Sequence, residues 1–156
     1  MPDLESHVFD ITRIIQLAVA PVFLLTAVGT IINAIINRLG RAVDRRRQLE
    51  ELVPAMEGDT RLEMLDELHI IARRIRLAIW AIALAVMSAI FVCLLIGFAF
   101  VGAFVTIDLS RTVAGLFIAA MVVLTGSLLM FLREVFLAAI TTKNPRSIYD
   151  AREALK

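Results

Sequence analysis

The sequence is poor in the residues from which catalytic and metal sites are usually built. One cysteine and two histidines among 156 residues provide neither a disulfide pair nor a closed zinc site made of these residue types. The sequence also lacks a phosphate-binding glycine loop, a nucleophile elbow and an HExxH motif. We therefore predict that the protein is not an enzyme and holds no cofactor and no metal ion.

A large excess of charge of either sign is also missing. Sixteen basic and fifteen acidic residues leave a formal net charge of +1, and the arginine-rich stretch is interleaved with acids. A nucleic-acid-binding protein typically carries a basic face of one sign. We therefore predict no nucleic-acid partner.

Apolar residues, in contrast, are abundant. They make up 60% of the chain, and the mean hydropathy is +0.84. Residues 77–105 contain no charged residue, and neither do residues 14–36 and 113–132. Because about 20 helical residues cross a hydrocarbon core about 30 Å thick, each run is long enough to span a bilayer. The sequence predicts an all-α integral membrane protein with three transmembrane helices.

The polar intervals divide this single membrane domain into six segments. We predict an outer tail at 1–13, a first transmembrane helix at 14–36, a helical hairpin at 38–76, a second transmembrane helix at 77–105, a third at 112–132, and an extension with a tail at 133–156.

The hairpin is predicted from two amphipathic stretches on either side of a turn signal. Apolar residues recur every three to four positions in residues 38–53 and 61–76. Between the stretches, Pro54 stops a helix and Gly58 permits a turn, and Asp59 or Thr60 can cap a helix that begins at Arg61. We expect the two arms to bury each other's apolar stripe.

The distribution of basic residues predicts the orientation. Apart from Arg13 and Arg111, the remaining fourteen of the sixteen basic residues lie in the hairpin or after the third apolar run. Basic residues near membrane-helix ends favour the cytoplasmic side. The N-terminus is therefore predicted outside, and both the hairpin and the C-terminus in the cytoplasm.

Polar residues recur on one face of the first apolar helix, at spacings of ten, four, three and four. This candidate polar stripe consists of Gln16, Thr26, Thr30, Asn33 and Asn37. Polar side chains facing lipid are costly, so the stripe should face protein or water. It is interpreted either as a set of side chains that form hydrogen bonds between helices or as the lining of a water or ligand path.

Two further sets of residues are candidates for contacts. Small residues that allow close helix packing are predicted on the second and third helices at Ala81, Ala85, Ala89, Gly115, Ala119 and Gly126. Candidate contacts with lipid head groups follow the first apolar run at Arg38, Arg41, Arg45, Arg46 and Arg47. The arginines are interpreted as setting topology with nonspecific lipid contact, or alternatively as a specific lipid or protein site.

Three stretches carry a resemblance to a known family: QLAVAPVFLLTAVGTIINAIINRLGRAVDRRRQLE at 16–50, LHIIARRIRLAIWAIALA at 68–85 and FLREVFLA at 131–138. The chain resembles bacterial inner-membrane proteins with three spans that are classed as a domain of unknown function. The resemblance implies a multi-pass protein of the bacterial inner membrane, and it implies no activity and no functional residue.

Two functions fit these observations. The first is a structural or regulatory subunit that self-associates as a homo-oligomer or docks onto a larger membrane complex. The alternative is a small oligomeric channel or conduit lined by the polar stripe. The lipid bilayer is the expected partner in both cases.

Overall fold

The described residues of the computed structural model form three long α-helices. The structure describes the backbone of residues 2–104 and 109–141, and the side-chain surroundings of residues 19–102 and 109–139. Helix α1 spans Pro2–Leu52, α2 spans Gly58–Phe104 and α3 spans Ser110–Thr141, and a short 3₁₀ turn at Val53–Ala55 follows α1. The prediction of an all-α chain is confirmed.

All three helices are long and apolar enough to cross a membrane. The qualifying segments within the described residues are Val19–Ala55, Gly58–Gly102 and Ser110–Ala139. Even in the most buried of their apolar windows, only 28% of the residues are buried by the protein itself. Such an apolar exterior calls for an apolar environment, as expected of a multi-pass membrane protein.

The observed helix ends differ from those predicted. Helix α1 begins at Pro2, whereas the sequence placed a tail at 1–13 and the first helix from Ile14. Proline is favoured at the first position of a helix, because its fixed φ suits the helix and its missing N–H would have no partner there. Helix α1 also continues through Pro21.

The connection between α1 and α2 is a tight turn. The backbone amide of Met56 donates to the carbonyl oxygen of Val53 at 3.3 Å. Gly58 has a φ of +66°, which a residue without Cβ adopts readily. Helix α2 begins at Gly58 itself, earlier than the predicted start at Arg61. Asp59 lies in its first turn, where a negative charge favours the helix.

The predicted link between the second and third helices is described only from residue 109, and α3 begins at Ser110. The predicted tail beyond residue 141 lies outside the described residues. Helix α3 extends past residue 132, the predicted end of the third span, and reaches Thr141.

The chain divides into two compact units. The first unit consists of Met1–Asn33 with Ala83–Ser127, and the second of Ala34–Ile82 with Leu128–Lys156.

The core of the first unit combines branched side chains with small residues. Val28 of α1, Ala85 of α2 and Leu124 of α3 form a buried cluster. Deeply buried Ser88 donates a hydrogen bond from its hydroxyl to the carbonyl oxygen of Ala120 at 2.9 Å. This bond satisfies a polar group that would be costly to bury without a partner.

The core of the second unit lies along the ends of α1 and α2 next to their turn. Its buried side chains occur at seven-residue or eight-residue intervals, the spacing of residues that face a neighbouring helix. They are Ala42, Leu49, Met56, Met64 and Ile71. The partly buried residues Leu52, Val53, Leu68 and Ile75 pack against them.

Candidate functional site

The structure places the described members of the polar stripe on the exposed surface of α1. Thr26 and Thr30 donate hydrogen bonds to backbone carbonyls of their own helix, at Val22 (3.2 Å) and Thr26 (3.0 Å). Asn33 and Asn37 are exposed. Within the described part of the chain, neither amide forms a hydrogen bond. The side chain of Gln16 lies outside the described residues.

The stripe therefore makes no hydrogen bonds to α2 or α3 within the described residues. Its opposite side faces the core, because Val28 and Ile35 are buried. Gly29 lies among the exposed residues, and no heavy atom lies within 4 Å of where its Cβ would be. An exposed face that combines hydroxyls, an amide and a glycine is unusual in a helix this apolar.

The predicted helix-packing residues fall into two groups. Ala81 and Ala85 are buried, Ala89 packs beside the Val28 cluster, and a Cβ on Gly126 would lie 3.7 Å from Leu84. Gly115 is exposed and Ala119 is half-buried. A Cβ on Gly115 would have no neighbouring heavy atom within 4 Å.

The five predicted head-group arginines differ in whether they form ion pairs and with which residues. Arg38 and Arg45 form ion pairs with residues of other helices, at Glu134 (3.1 Å) and Glu67 (2.7 Å). Arg46 pairs with Glu50 one turn further along α1 at 2.8 Å, and both side chains are exposed. Arg41 and Arg47 are exposed and have no ion pair among the described residues.

Glu134 of α3 forms ion pairs with two arginines, Arg38 and Arg74. Its side chain is only 3% exposed. Its Oε2 accepts from Nε of Arg38 at 3.1 Å, and its Oε1 accepts from Nη2 of Arg74 at 3.0 Å. The Arg38 guanidinium also lies 5.8 Å from the centre of the Phe131 ring. A buried carboxylate needs this degree of pairing, since an isolated charge is very costly to bury.

Sequence reasoning missed both Arg74 and the role of Glu134. The available signal was a single acid, Glu134, which follows Arg133 in the mainly apolar extension of the third helix, FLREVFLA. Such an acid commonly has a cationic partner elsewhere in the chain. The sequence does not say which of the many arginines that partner is.

The arginines border a cavity of about 270 Å³ in the second unit. Arg38, Arg41, Ala42 and Arg45 of α1 line it together with Ile71 and Arg74 of α2. We call this the arginine pocket. Four guanidinium groups surround it, whereas the paired carboxylates are two, Glu134 and Glu67. The pocket thus has an excess of two positive charges.

Within the described residues, no group of three or more His, Cys, Asp or Glu side chains is placed to hold a metal ion. His69 and Cys93 are both exposed. Glu67 forms an ion pair with Arg45, and Glu50 forms one with Arg46.

Comparisons with known proteins identify one family. The family described as protein of unknown function DUF2721 matches residues 18–143. Comparisons with curated proteins and with solved structures find no match. The matched range includes the stretches at 68–85 and 131–138 and nearly all of 16–50, on which the resemblance was based, so the predicted membership in a family of unknown function is confirmed. The chain belongs to the DUF2721 family.

Proposed function

We propose that the protein is a non-catalytic membrane subunit that self-associates, or docks onto a larger membrane complex, through the exposed face of α1. This face is defined by Thr26, Gly29, Thr30 and Asn33, and we call it the polar α1 face. The observation that carries the proposal is the exposed Asn33 amide, which forms no hydrogen bond within the described residues.

Energetics favour a protein contact over lipid at this face. A carboxamide facing hydrocarbon lacks hydrogen-bond partners, whereas an amide facing another helix gains about 0.6 kcal/mol per bond on average. Gly29 has open space above it and permits a close backbone approach. The hydroxyls of the two threonines already donate hydrogen bonds within α1. Their oxygens can still accept a hydrogen bond from a neighbouring helix, and their small side chains allow that helix to approach.

A second candidate function rests on the same exposure. In an oligomer whose subunits turn the polar α1 face towards a common axis, this face would line a conduit. Gln16 and Asn37 would extend the lining by helical spacing. The two candidates make different predictions for solute flux.

The self-association test compares two leucine substitutions. Asn33→Leu removes the amide, while Ala114→Leu adds a leucine at an exposed position on α3. Native mass spectrometry of the full chain in mild detergent should show an oligomer or a co-purifying partner for the wild type. Asn33→Leu should lower the associated fraction, and Ala114→Leu should not. A wild-type monomer without any partner contradicts the proposal.

The conduit is tested separately in liposomes. Ion flux through the reconstituted wild type that falls in Asn33→Leu and Asn37→Leu would favour the conduit. Flux that is absent, or unchanged by both substitutions, counts against it and leaves the association result as the discriminating measurement.

We also propose that the protein lies in a bacterial inner membrane with residues 38–76 as a long cytoplasmic hairpin. The N-terminus would be outside and the C-terminus in the cytoplasm. Two observations support this placement: the concentration of arginines in 38–76 and the mutual packing of Leu49, Met64 and Ile71 around the turn.

Cysteine labelling tests the orientation. In a Cys93→Ala background, Glu57→Cys places a thiol at the exposed turn, and Thr112→Cys places one at the exposed start of α3. A membrane-impermeant maleimide added to intact spheroplasts should label Thr112→Cys and not Glu57→Cys. The reverse pattern would show that the hairpin faces outward.

A further inference from the structure

The arginine pocket has more positive charge than its own acids neutralise. Glu134 is shared by Arg38 and Arg74, and Glu67 engages Arg45, so two carboxylates serve three arginines. Arg41 lines the same cavity, is exposed, and has no ion pair among the described residues. The cavity therefore keeps a net positive charge, and the Arg41 guanidinium on its border has no carboxylate partner among the described residues.

The arginines of the pocket also have N–H groups that their carboxylate partners do not use. A guanidinium carries five N–H donors. Arg38 gives only Nε to Glu134, and Arg45 gives Nε and Nη2 to Glu67. Arg74 likewise gives Nε and Nη2 to Glu134. These contacts fix the position of each side chain, and on each guanidinium they leave at least Nη1 without a hydrogen-bond partner among the described residues. The pocket is thus held in place before any ligand binds, which lowers the entropic cost of binding.

We propose that the arginine pocket binds a phosphate group, carried by an anionic phospholipid head group or by a soluble phosphate ester. Arginine forks match the oxygen geometry of phosphate and bind it with two parallel hydrogen bonds. Phosphate offers more acceptor oxygens than a carboxylate, and it suits a cavity bordered by four arginines with two charges in excess. The site does not depend on self-association, so it goes beyond the proposed function.

The size and position of the cavity fit a small head group. A volume of about 270 Å³ is just below the usual range of about 300–1,000 Å³ for ligand pockets. Buried Ala42 and Ile71 provide an apolar part of the lining. Arg38 directly follows the first uncharged run, and Arg74 lies just before the second, where the polar boundary of a bilayer is expected.

Arg46 and Arg47 provide a contrast within the same stretch. Neither lines the cavity, Arg46 is engaged by Glu50, and Arg47 is exposed. A specific pocket therefore distinguishes Arg41 from Arg47, whereas a nonspecific attraction between basic residues and an anionic surface treats them alike.

The test compares Arg41→Gln with Arg47→Gln in the full chain. Each variant removes one positive charge from an exposed arginine without a described ion pair, so both should fold. The probes are phosphatidylglycerol, diacylglycerol as its phosphate-free counterpart, and glycerol 3-phosphate. Binding is titrated by native mass spectrometry in a non-ionic detergent, where no anionic surface attracts both variants.

We expect phosphatidylglycerol or glycerol 3-phosphate to bind the wild type, and diacylglycerol to bind much more weakly. Arg41→Gln should weaken binding about tenfold, the effect of losing a charged hydrogen bond, while Arg47→Gln should stay near the wild type. Arg41-dependent binding of phosphatidylglycerol alone identifies a lipid source, and such binding of glycerol 3-phosphate identifies a soluble one. Equal losses in both variants, equal binding of diacylglycerol, or no binding of either phosphate probe overturns the proposal.

Discussion

Arg38 donates a hydrogen bond through Nε to Oε2 of Glu134 over 3.1 Å, although 96 residues separate them in the sequence. The other oxygen of Glu134 receives Arg74 from α2 at 3.0 Å. One buried carboxylate therefore connects three helices within the second unit. The same contacts position two of the four arginines that border the arginine pocket.

This arrangement predicts that Glu134→Gln destabilises the protein. Glutamine keeps the shape and one acceptor but leaves the two arginines without a neutralising charge. Removing one partner of a fully buried pair costs about 3–5 kcal/mol, and the partial exposure of Arg38 and Arg74 should reduce this to about 1–3 kcal/mol. The measurement is thermal unfolding in mild detergent, followed by circular dichroism.

The matched control is Glu50→Gln, which breaks the exposed Arg46–Glu50 pair on α1. Exposed pairs four residues apart on a helix contribute about 0.3–0.5 kcal/mol, so its unfolding midpoint should hardly move. Equal shifts in the unfolding midpoint of the two variants would mean that the buried ion pairs of Glu134 stabilise the protein no more than an exposed pair does.

The existence of the three helices could be predicted from the sequence, because long uncharged runs have few stable alternatives to a membrane helix. The direction in which each face points could not. Helical periodicity places Thr26 and Asn33 on one side of α1, but only the packing of Val28 against α2 and α3 decides that this side is exposed.

The arginine pocket shows a second limit of the sequence. Arg38, Arg41 and Arg45 could be selected as a group because they are close in sequence, yet the same criterion also selected Arg46 and Arg47, which lie outside the cavity. Arg74 belongs to the pocket through the pairing of α1 with α2, and no local pattern contains that information.

The core of the second unit predicts a large effect for Leu49→Ala. Leu49 is fully buried between the ends of α1 and α2, so truncation leaves a cavity and costs about 2–5 kcal/mol. Leu62→Ala is the control, since Leu62 is 62% exposed and should tolerate the change. Both are measured by thermal unfolding in the same detergent. Similar stabilities for the two variants would show that the Leu49 packing contributes little.

The first unit predicts a contrast between two neighbouring alanines of α2. Ala85 is fully buried beside Val28 and Leu124, whereas Ala83 is exposed. Ala85→Leu should force the helices apart and lower the free energy of unfolding by about 1–3 kcal/mol. Ala83→Leu should be nearly neutral in detergent. Unfolding midpoints that rank the two variants in the opposite order would contradict the observed packing of α2.

Replacing glycine by alanine should change the free energy of unfolding in opposite directions at Gly58 and Gly40. Gly58 has a φ of +66° at the start of α2, and no heavy atom lies near the position of a Cβ, so Gly58→Ala should cost about 1 kcal/mol through backbone conformation alone. Gly40 lies inside α1 with open space around it, so Gly40→Ala should stabilise by about 0.5–1 kcal/mol. Thermal unfolding of both variants in one detergent gives the comparison. A stabilising Gly58→Ala would show that residue 58 does not adopt the left-handed conformation.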